Sequence, residues 1–176
     1  MASYSLSPAA SHTDAQADGI DPLLPICKTV GGGSRYFGID FCMSALGSDG
    51  RSRTAESYRN LSIIAVDLVT ANATATVAKI GGLLKTGGKG DDATKESLES
   101  CQALYSGVLD LLPGCAAAIK AGKFDQAALS LERTASAARE CDDAFRENNV
   151  ASPLALEDDS EFKLAKLAVA LLGFAS

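Results

Sequence analysis

Five cysteines constrain this chain more than any other feature of its sequence. Four of them form two separated pairs, Cys27 with Cys42 and Cys101 with Cys141, and the fifth, Cys115, lies between the members of the second pair. Disulfide bonds persist in oxidising compartments and are reduced in the cytosol. Two bridged pairs would therefore indicate a protein of the secretory pathway or the cell exterior.

The stretch from Leu98 to Ile119 has the periodicity of one long helix. Its apolar residues recur in alternating steps of three and four, which is typical of a helix that faces a core. At 1.5 Å per residue, Cys101 and Cys115 would lie about 21 Å apart along this helix. Because a disulfide needs Cα atoms within about 7 Å, these two cysteines cannot bond to each other. The apolar face consists of Leu98, Cys101, Tyr105, Val108, Leu112, Cys115 and Ile119.

The pairing of the other cysteines follows only in part from their positions. Cys27 and Cys42 flank three consecutive glycines, which allow a sharp turn between two short segments, so we predict that they close a hairpin. Cys141, on a later helical segment, can then bond to Cys101 or to Cys115. We predict the bond between Cys101 and Cys141, with Cys115 as a free thiol on the apolar face.

The first residues of the chain do not have the composition of a secretion signal. Residues 1–19 contain small and polar residues with scattered aliphatic ones, and no continuous apolar stretch. We therefore expect that a signal peptide has been removed. We also expect residues 1–20 to be disordered, because they are polar and aperiodic.

Charge and hydropathy exclude two further classes of protein. The net charge is −6 and no basic stripe is present, so we expect no nucleic acid as partner. No stretch reaches about eighteen consecutive apolar residues, so we expect no transmembrane helix.

The remainder of the chain divides into a cysteine-bridged hairpin and four long helical segments. The hairpin covers 21–48, and the helical segments are predicted at 52–84, 92–121, 124–147 and from Pro153 onward. Short loops between long helices favour antiparallel neighbours. The predicted fold is therefore all-α, an up-down four-helix bundle at 52–174 with an N-terminal helical hairpin, and an irregular helical array is the alternative.

Three positions in these segments carry signals for helix ends or bends. Gly122 is predicted to end the second bundle helix as a glycine at the C′ position. Pro113 lies inside that helix, where we predict a kink rather than a stop because the apolar periodicity continues beyond it. Ser152 and Pro153 are predicted as the N-cap and first residue of the fourth bundle helix.

The sequence has no recognisable catalytic, cofactor or metal site. The only histidine, His12, lies in the segment expected to be disordered, so a Ser-His-Asp or Cys-His mechanism lacks its base. No histidine cluster is available to hold zinc. We therefore expect a protein that is not an enzyme and that needs no metal or cofactor. Three pairs of adjacent acids are predicted to lie at helix starts or on solvated faces: Asp91-Asp92, Asp142-Asp143 and Asp158-Asp159.

Two sequons for N-glycosylation are present, Asn60-Leu61-Ser62 and Asn72-Ala73-Thr74. On a helical wheel Asn72 falls near Lys79, at the edge of the first apolar face, so we expect it to be exposed. Both Asn60 and Asn72 are candidate acceptors, and an unmodified surface asparagine is the alternative for each.

Taken together, these features resemble the plant invertase and pectin methylesterase inhibitor family, including its pollen-allergen-like members. The resemblance covers nearly all of the chain from Ile26 to the C-terminus. It is carried by Cys27-Lys28-Thr29, Phe41-Cys42, Leu46-Gly47-Ser48-Asp49, Arg51-Ser52, Asn72-Ala73-Thr74, residues 98–105 around Cys101, Cys141 with Phe145, Ser152-Pro153-Leu154 and residues 164–168.

The resemblance implies a single inhibitor domain over residues 21–176. Members of the family are four-helix bundles with an N-terminal hairpin, and their disulfides join the first cysteine to the second and the third to the fourth. Carried to this chain, those bonds are Cys27 with Cys42 and Cys101 with Cys141, in agreement with the pairing predicted above.

The resemblance also implies a noncatalytic inhibitor that forms a one-to-one complex and covers the substrate cleft of its target. Pectin methylesterase is the target that we predict, and cell-wall or vacuolar acid invertase is the alternative. Invertase inhibitors of the family are associated with a Pro-Lys-Phe motif between the second and third bundle helices. Here Gly122, Lys123 and Phe124 occupy that place, so Lys123 and Phe124 match and Gly122 does not. Phe124 could equally serve to anchor the start of its helix in the core.

By the same resemblance, the protein is expected in the apoplast or cell wall, with the vacuole as a second possibility, and as a monomer when free. One hypothesis of a different class is a carrier that holds a small ligand inside the bundle. It is suggested by the free Cys115 and by a cavity that the Pro113 kink could open.

Overall fold

The computed structural model describes residues 19–86 and 91–176, and all regular structure in those residues is helical. The disorder expected at 1–20 therefore lies outside the described residues except for Gly19 and Ile20, as does the glycine-rich break at 87–90. The six α-helices are α1 (Leu23–Gly31), α2 (Ile39–Gly47), α3 (Tyr58–Thr86), α4 (Asp92–Lys120), α5 (Phe124–Glu147) and α6 (Ala155–Leu172).

Helices α1 and α2 form the predicted N-terminal hairpin. A disulfide joins Cys27 of α1 to Cys42 of α2, with their Cα atoms 5.5 Å apart. Glycine suits the end of α1, because a Cβ on Gly31 would lie 3.1 Å from the backbone nitrogen of Ile39, which is closer than most Cβ contacts. The hairpin is thus closed by a covalent bond and by a close approach of its two backbones.

Helices α3 to α6 form a four-helix bundle in which each helix packs against its neighbours in sequence, and α6 closes the ring against α3. Because short loops join α4 to α5 and α5 to α6, successive helices run antiparallel. The predicted up-down bundle with an attached hairpin is confirmed. Its largest fully buried side chains are Tyr105, Phe145, Leu61, Ile80, Leu112, Ile119, Leu131, Leu167 and Leu171, together with Leu23 and Leu46 of the hairpin and Leu154 before α6.

The start of the first bundle helix differs from the prediction. Residues 52–54 form a short 3₁₀ turn, and α3 begins at Tyr58 rather than at residue 52. The Oγ atom of Ser57 accepts a hydrogen bond from the backbone N–H of Asn60 at 3.1 Å. This is the bond that an N-cap serine makes to the third helical residue, and it explains why the helix starts after Ser57.

The start of the last helix also differs. Ser152 does not cap α6, since its Oγ accepts from the N–H of Leu154 at 3.0 Å and so closes a turn. The helix begins at Ala155, two residues after Pro153. The predicted N1 position of the proline is therefore wrong, although the turn chemistry expected of a Ser-Pro pair is present.

Helix α4 continues through Pro113 without a stop, as the sequence predicts. The proline lies on the exposed side of the helix, while Leu112 and Cys115 beside it are buried. The hydrogen bond that proline cannot make is therefore missing on the solvent side of α4, where water can satisfy the free carbonyl.

A stack of aromatic rings and cations joins the hairpin to the bundle. Tyr36, in the loop between α1 and α2, packs edge-on against Phe162 of α6 with ring centroids 5.7 Å apart. The guanidinium of Arg139 lies over the Phe162 ring, 3.8 Å from its centroid. Lys166 lies 4.4 Å from the Tyr36 ring and pairs with Glu132 at 2.6 Å. These contacts hold the hairpin against α5 and α6.

Helices α3 and α4 are each long and apolar enough, by length and composition, to cross a membrane. The expectation that no helix crosses a membrane stays a prediction, because length and composition alone do not distinguish a membrane span from a core helix. The core helix of a folded domain has the same length and composition, and both helices contribute many buried residues to the bundle. The composition of α3 and α4 therefore has an explanation in their packing.

Candidate functional site

The turn between α4 and α5 is a Schellman motif. The N–H of Gly122 donates to the carbonyl of Ile119 at 3.0 Å, and the N–H of Lys123 donates to the carbonyl of Ala118 at 2.8 Å. These two bonds satisfy carbonyls at the end of α4, as the motif requires. Gly122 adopts a φ of +76°, which confirms its predicted place just beyond the helix end.

The positive φ of Gly122 has a direct consequence for the three-residue motif. Proline is confined to a φ near about −65° and so cannot adopt this conformation. A proline here would require another turn geometry, and this chain therefore presents Lys123 from a different backbone than a Pro-Lys-Phe sequence would. Lys123 itself occupies the N-cap position of α5.

The side chains of this turn differ in exposure. Lys123 is exposed, and its side chain makes no capping hydrogen bond to α5. Phe124 is partly buried and packs against the core, as expected if it anchors the start of α5. The turn thus offers a solvent-facing ammonium group beside a ring that is held in place.

Arg59, in the first turn of α3, lies next to this motif. Its guanidinium carbon is 5.1 Å from the centroid of the Phe124 ring. The aromatic pair Tyr58 and Phe174, with centroids 5.3 Å apart, joins the start of α3 to the residues after α6. We call the group Arg59, Lys120, Lys123 and Phe124, which is exposed except for Phe124, the turn end of the bundle.

The structure pairs the cysteines as the sequence predicts. Besides the hairpin bond, Cys101 of α4 is bonded to Cys141 of α5, with Cα atoms 4.8 Å apart. Cys115 is the free cysteine and lies buried, with its Sγ 3.6 Å from the carbonyl of Ala127. Burial raises the pKa of this thiol to about 11, so it is protonated at neutral pH.

The two sequons are in different environments. Asn60 is exposed near the start of α3. Asn72 is half-buried, and its Nδ2 donates to the Glu161 carboxylate at 2.7 Å and to the carbonyl of Glu157 at 3.1 Å. The exposure expected of Asn72 is therefore wrong, because this amide faces α6. A glycan on Asn72 would displace both hydrogen bonds.

A cluster of buried acids on α6 was not predicted. Asp158 is 4% exposed and accepts a hydrogen bond from the hydroxyl of Tyr105 at 2.7 Å. Glu161 is fully buried and accepts from Asn72 of α3. Glu157, one residue before Asp158, pairs with Lys79 of α3. The predicted solvated-face role of Asp158 is wrong, although its neighbour Asp159 does lie on the exposed side.

Burial shifts the ionisation of both acids in the same direction. Loss of solvation raises the pKa of Asp158 to about 7, against the lowering effect of the Tyr105 hydroxyl. Loss of solvation also raises the pKa of Glu161 to about 8, against the lowering effect of the Asn72 amide. The second oxygens of the two carboxyls, Asp158 Oδ2 and Glu161 Oε1, have no hydrogen-bond partner in the described residues. Protonation of these carboxyls reduces the cost of burying them.

A weak signal for this cluster exists in the sequence. Asp158 and Glu161 stand three residues apart, and Ala165 and Ala168 continue the same face of α6. Both alanines are fully buried. Acids that share a face with small core residues are candidates for burial, whereas the adjacent pair of aspartates suggests only a helix start.

The other acid pairs agree with their predicted roles. Asp91 is the N-cap of α4 and accepts from the N–H of Ala93 at 3.2 Å. Asp142 and Asp143 both pair with Arg146 on the surface of α5. Within residues 19–86 and 91–176, no group of three or more His, Cys, Asp or Glu side chains is arranged to hold a metal ion.

Comparison with known proteins identifies relatives over most of the chain. A family model described as "Plant invertase/pectin methylesterase inhibitor" matches residues 25–171. Two curated proteins named "Putative invertase inhibitor", from Platanus acerifolia and Platanus orientalis, are each 27% identical over 146 residues. Those alignments cover 82% of this chain, and 80% and 84% of the respective relatives.

Proposed function

This chain belongs to the plant invertase/pectin methylesterase inhibitor family, and we propose that it is a noncatalytic extracellular protein that inhibits an acid invertase. That the chain is a protein inhibitor of cell-wall enzymes follows from its family and from the names of the relatives. The choice of target, the one-to-one complex and the covering of the substrate cleft are our proposals.

The observation that carries the choice of target is the exposed Lys123 on the turn between α4 and α5. These are the second and third bundle helices, where the sequence resemblance places the lysine of invertase inhibitors. Glycoside hydrolases use a pair of carboxylates to cleave their substrates. An ammonium group on a rigid turn can enter such a cleft and pair with one of them.

Acid invertase therefore replaces pectin methylesterase as the first target. The prediction from sequence alone favoured pectin methylesterase, because that class of inhibitor is the more numerous. Two observations favour invertase. The curated relatives are named as invertase inhibitors, and in the Lys-Phe pair Lys123 is exposed while Phe124 is anchored in the core. Pectin methylesterase remains the second candidate, because the backbone of Gly122 is incompatible with the proline of the invertase-associated motif.

The rigidity of the turn supports a role as an inhibitor. The two Schellman hydrogen bonds, from Gly122 to Ile119 and from Lys123 to Ala118, fix the backbone of the turn. Phe124 fixes the start of α5 against the core. A binding element that is ordered before association loses little conformational entropy in the complex.

The two residues that suggested a ligand carrier lie on different sides of α4. Pro113 faces solvent, whereas Cys115 is buried in the core against α5. The carrier hypothesis thus loses its motivation.

The proposal is tested by titrating the purified protein into acid invertase and into pectin methylesterase at about pH 5. We expect inhibition of invertase at a one-to-one ratio. Substitution Lys123→Ala should weaken that inhibition by about an order of magnitude or more, since it removes a charge at the centre of the contact. Lys95→Ala is the control, because Lys95 is also an exposed lysine of α4 but lies in its first turn, at the opposite end of the helix from Lys123.

Three outcomes would contradict parts of the proposal. Inhibition of pectin methylesterase alone would reverse the choice of target. No inhibition of either enzyme would reject the inhibitor function. Equal potency of Lys123→Ala and the wild-type protein would show that the motif is incidental.

A further inference from the structure

Arg59 lies over the turn between α4 and α5 although it belongs to α3. A Cβ atom placed on Gly122 would lie 3.3 Å from Nη2 of Arg59, so the guanidinium approaches the backbone of the turn. The same guanidinium lies 5.1 Å from the Phe124 ring centroid, within the range of a cation–π contact. Arg59 therefore contacts the residues on both sides of Lys123.

Within the described residues, the positive charge of Arg59 meets the Phe124 ring and no carboxylate. Arg59 is exposed and forms no ion pair with any residue of the described ranges 19–86 and 91–176. It lies in the first turn of α3, where the helix dipole disfavours a cation. The charge is thus placed at some cost to α3, beside the residue proposed to bind the target.

Exposed cations gather at the turn end although the chain as a whole carries −6. Arg59, Lys120 and Lys123 are all exposed, and the Arg59 guanidinium lies beside the turn that carries Lys123. The exposed acids Glu56 and Asp125 lie within three residues of Arg59 and Lys123 in sequence. Because cations attract carboxylates, the exposed cations suit an acidic partner surface.

We propose that Arg59 is a second target-binding cation, which acts together with Lys123 on the carboxylates of the target's substrate cleft. Phe124 holds the guanidinium in position through the stacking contact. Because a guanidinium can bind a carboxylate through two parallel hydrogen bonds, Arg59 would select an acidic cleft by geometry as well as by charge. This inference rests on the proposed function and extends it by a specificity-determining residue.

The inference is tested by measuring the inhibition constant for acid invertase of the wild type and of two variants of Arg59. Arg59→Gln removes the charge, and we expect inhibition to weaken about tenfold and to depend less on ionic strength. Arg59→Lys keeps the charge and loses the planar fork, so we expect a smaller loss, about threefold. Thermal melting of each variant verifies that the fold is intact.

Arg139→Gln provides the matched control. Arg139 is also exposed and also lies over an aromatic ring, that of Phe162 at 3.8 Å, but it belongs to the flank beside the hairpin. The control removes the same charge from the same chain, and we expect its inhibition constant to stay within about twofold of wild type.

A second measurement addresses the role of Phe124. Phe124→Leu keeps an apolar anchor for α5 and removes the ring, so Arg59 loses its support. We expect the double variant Arg59→Gln with Phe124→Leu to be no weaker than the poorer single variant, because both changes abolish the same contact. Fully additive losses would overturn the positioning role of Phe124.

The remaining outcomes separate this inference from the proposed function. If the wild type inhibits invertase and Arg59→Gln matches Arg139→Gln, the inference about Arg59 is rejected and the proposed function stands. Equal losses in Arg59→Gln and Arg59→Lys, with an unchanged dependence on salt, would also reject it in favour of a structural role. If only pectin methylesterase is inhibited, the same variants and criteria apply to that enzyme. Inhibition of neither enzyme rejects the proposed function and this inference with it.

Discussion

At the scale of single residues, bonding and burial together set the reactivity of the five cysteines. All five are buried, but four are bonded in pairs and Cys115 is not. Its thiol is 1% exposed, and its pKa is raised to about 11 because burial disfavours the thiolate. The thiolate is the nucleophile in alkylation and in disulfide exchange. Cys115 is therefore protected from oxidants both by protonation and by packing.

We predict that iodoacetamide at about pH 8 leaves the native protein unlabelled and modifies one cysteine after unfolding without reductant. Peptide mapping should locate the label at Cys115 and find Cys27 linked to Cys42 and Cys101 to Cys141. The variant Cys115→Ala should take up no label in either state. Rapid labelling of the native protein, or a link from Cys115 to Cys141, would contradict the assignment.

At the scale of helices, the two disulfides act on different parts of the fold. One closes the hairpin of α1 and α2, and the other joins α4 to α5 inside the bundle. The hairpin packs on the outside of the four-helix ring, through buried residues such as Leu23 and Leu46 and through the stack around Tyr36. Loss of one bond should thus have local consequences and loss of the other global ones.

We predict that replacing Cys27 and Cys42 by alanine loosens the hairpin and leaves the bundle folded. In hydrogen exchange, amides of residues 23–47 should lose protection while those of α3 to α6 keep it. Replacing Cys101 and Cys141 should instead lower the free energy of unfolding of the bundle by about 4 kcal/mol, as expected from the entropy of a loop of this length. Urea unfolding followed by circular dichroism measures this value. Uniform loss of protection in the first variant would contradict the prediction.

At the scale of the whole molecule, protonated acids connect α6 to its neighbours. Asp158 meets Tyr105 of α4 and lies near Asp142 of α5, and Glu161 meets Asn72 of α3. Burial is the main cause of the raised pKa of Asp158, and the charges of Asp142 on α5 and of Glu157, which pairs with Lys79, raise it further. The packing of all four bundle helices therefore depends on the ionisation of these carboxyls.

The sign of the resulting pH dependence follows from the pKa shifts. In the unfolded chain Asp158 and Glu161 lose their protons near 3.8 and 4.5, whereas in the folded chain they keep them until about 7 and about 8. Below the pKa values of the unfolded state, the contribution of the two carboxyls to stability is fully present. It is lost as the pH rises through their pKa values in the folded state. Asp49 stabilises the folded chain in its ionised form, because its hydrogen bonds with Arg51 lower its pKa to about 2. Its contribution to stability is therefore lost as the pH falls toward that value. Stability should therefore be greatest in mildly acidic solution.

We predict that the free energy of unfolding decreases from about pH 5 to about pH 8 and that Asp158→Asn reduces this decrease. Asparagine can still accept from the Tyr105 hydroxyl but cannot ionise, so the variant should be more stable than wild type at about pH 8, on the order of 1–3 kcal/mol. Asp159→Asn, at the exposed neighbouring position, is the control. Urea unfolding at a series of pH values provides the measurement, and an equal pH dependence in both variants would contradict the prediction.

The sequence by itself determined much of the architecture, because the signals for helices and turns are local. The periodicity from Leu98 to Ile119 predicted a helix that is present, and the glycine at residue 122 predicted a helix end that the Schellman motif confirms. Two helix starts were placed wrongly, at residues 52 and 153, since Ser52 and Ser57 near the first, and Ser152 and Pro153 at the second, can each act as a cap or in a turn. In such cases the packing of the helix decides which one does.

Only the tertiary structure decided which polar groups meet across the bundle. Asp158 and Asp159 are adjacent in sequence, yet the first is buried beside Tyr105 of α4 and the second lies in solvent. Asn72 faces Glu161, and Arg59 lies over Phe124, although each pair is far apart along the chain. A residue's own neighbours set its place on a helix, but its partners on other helices depend on how those helices rotate and pack. Local sequence patterns therefore predicted the helices, and contacts between helices determined the buried acids and the turn end.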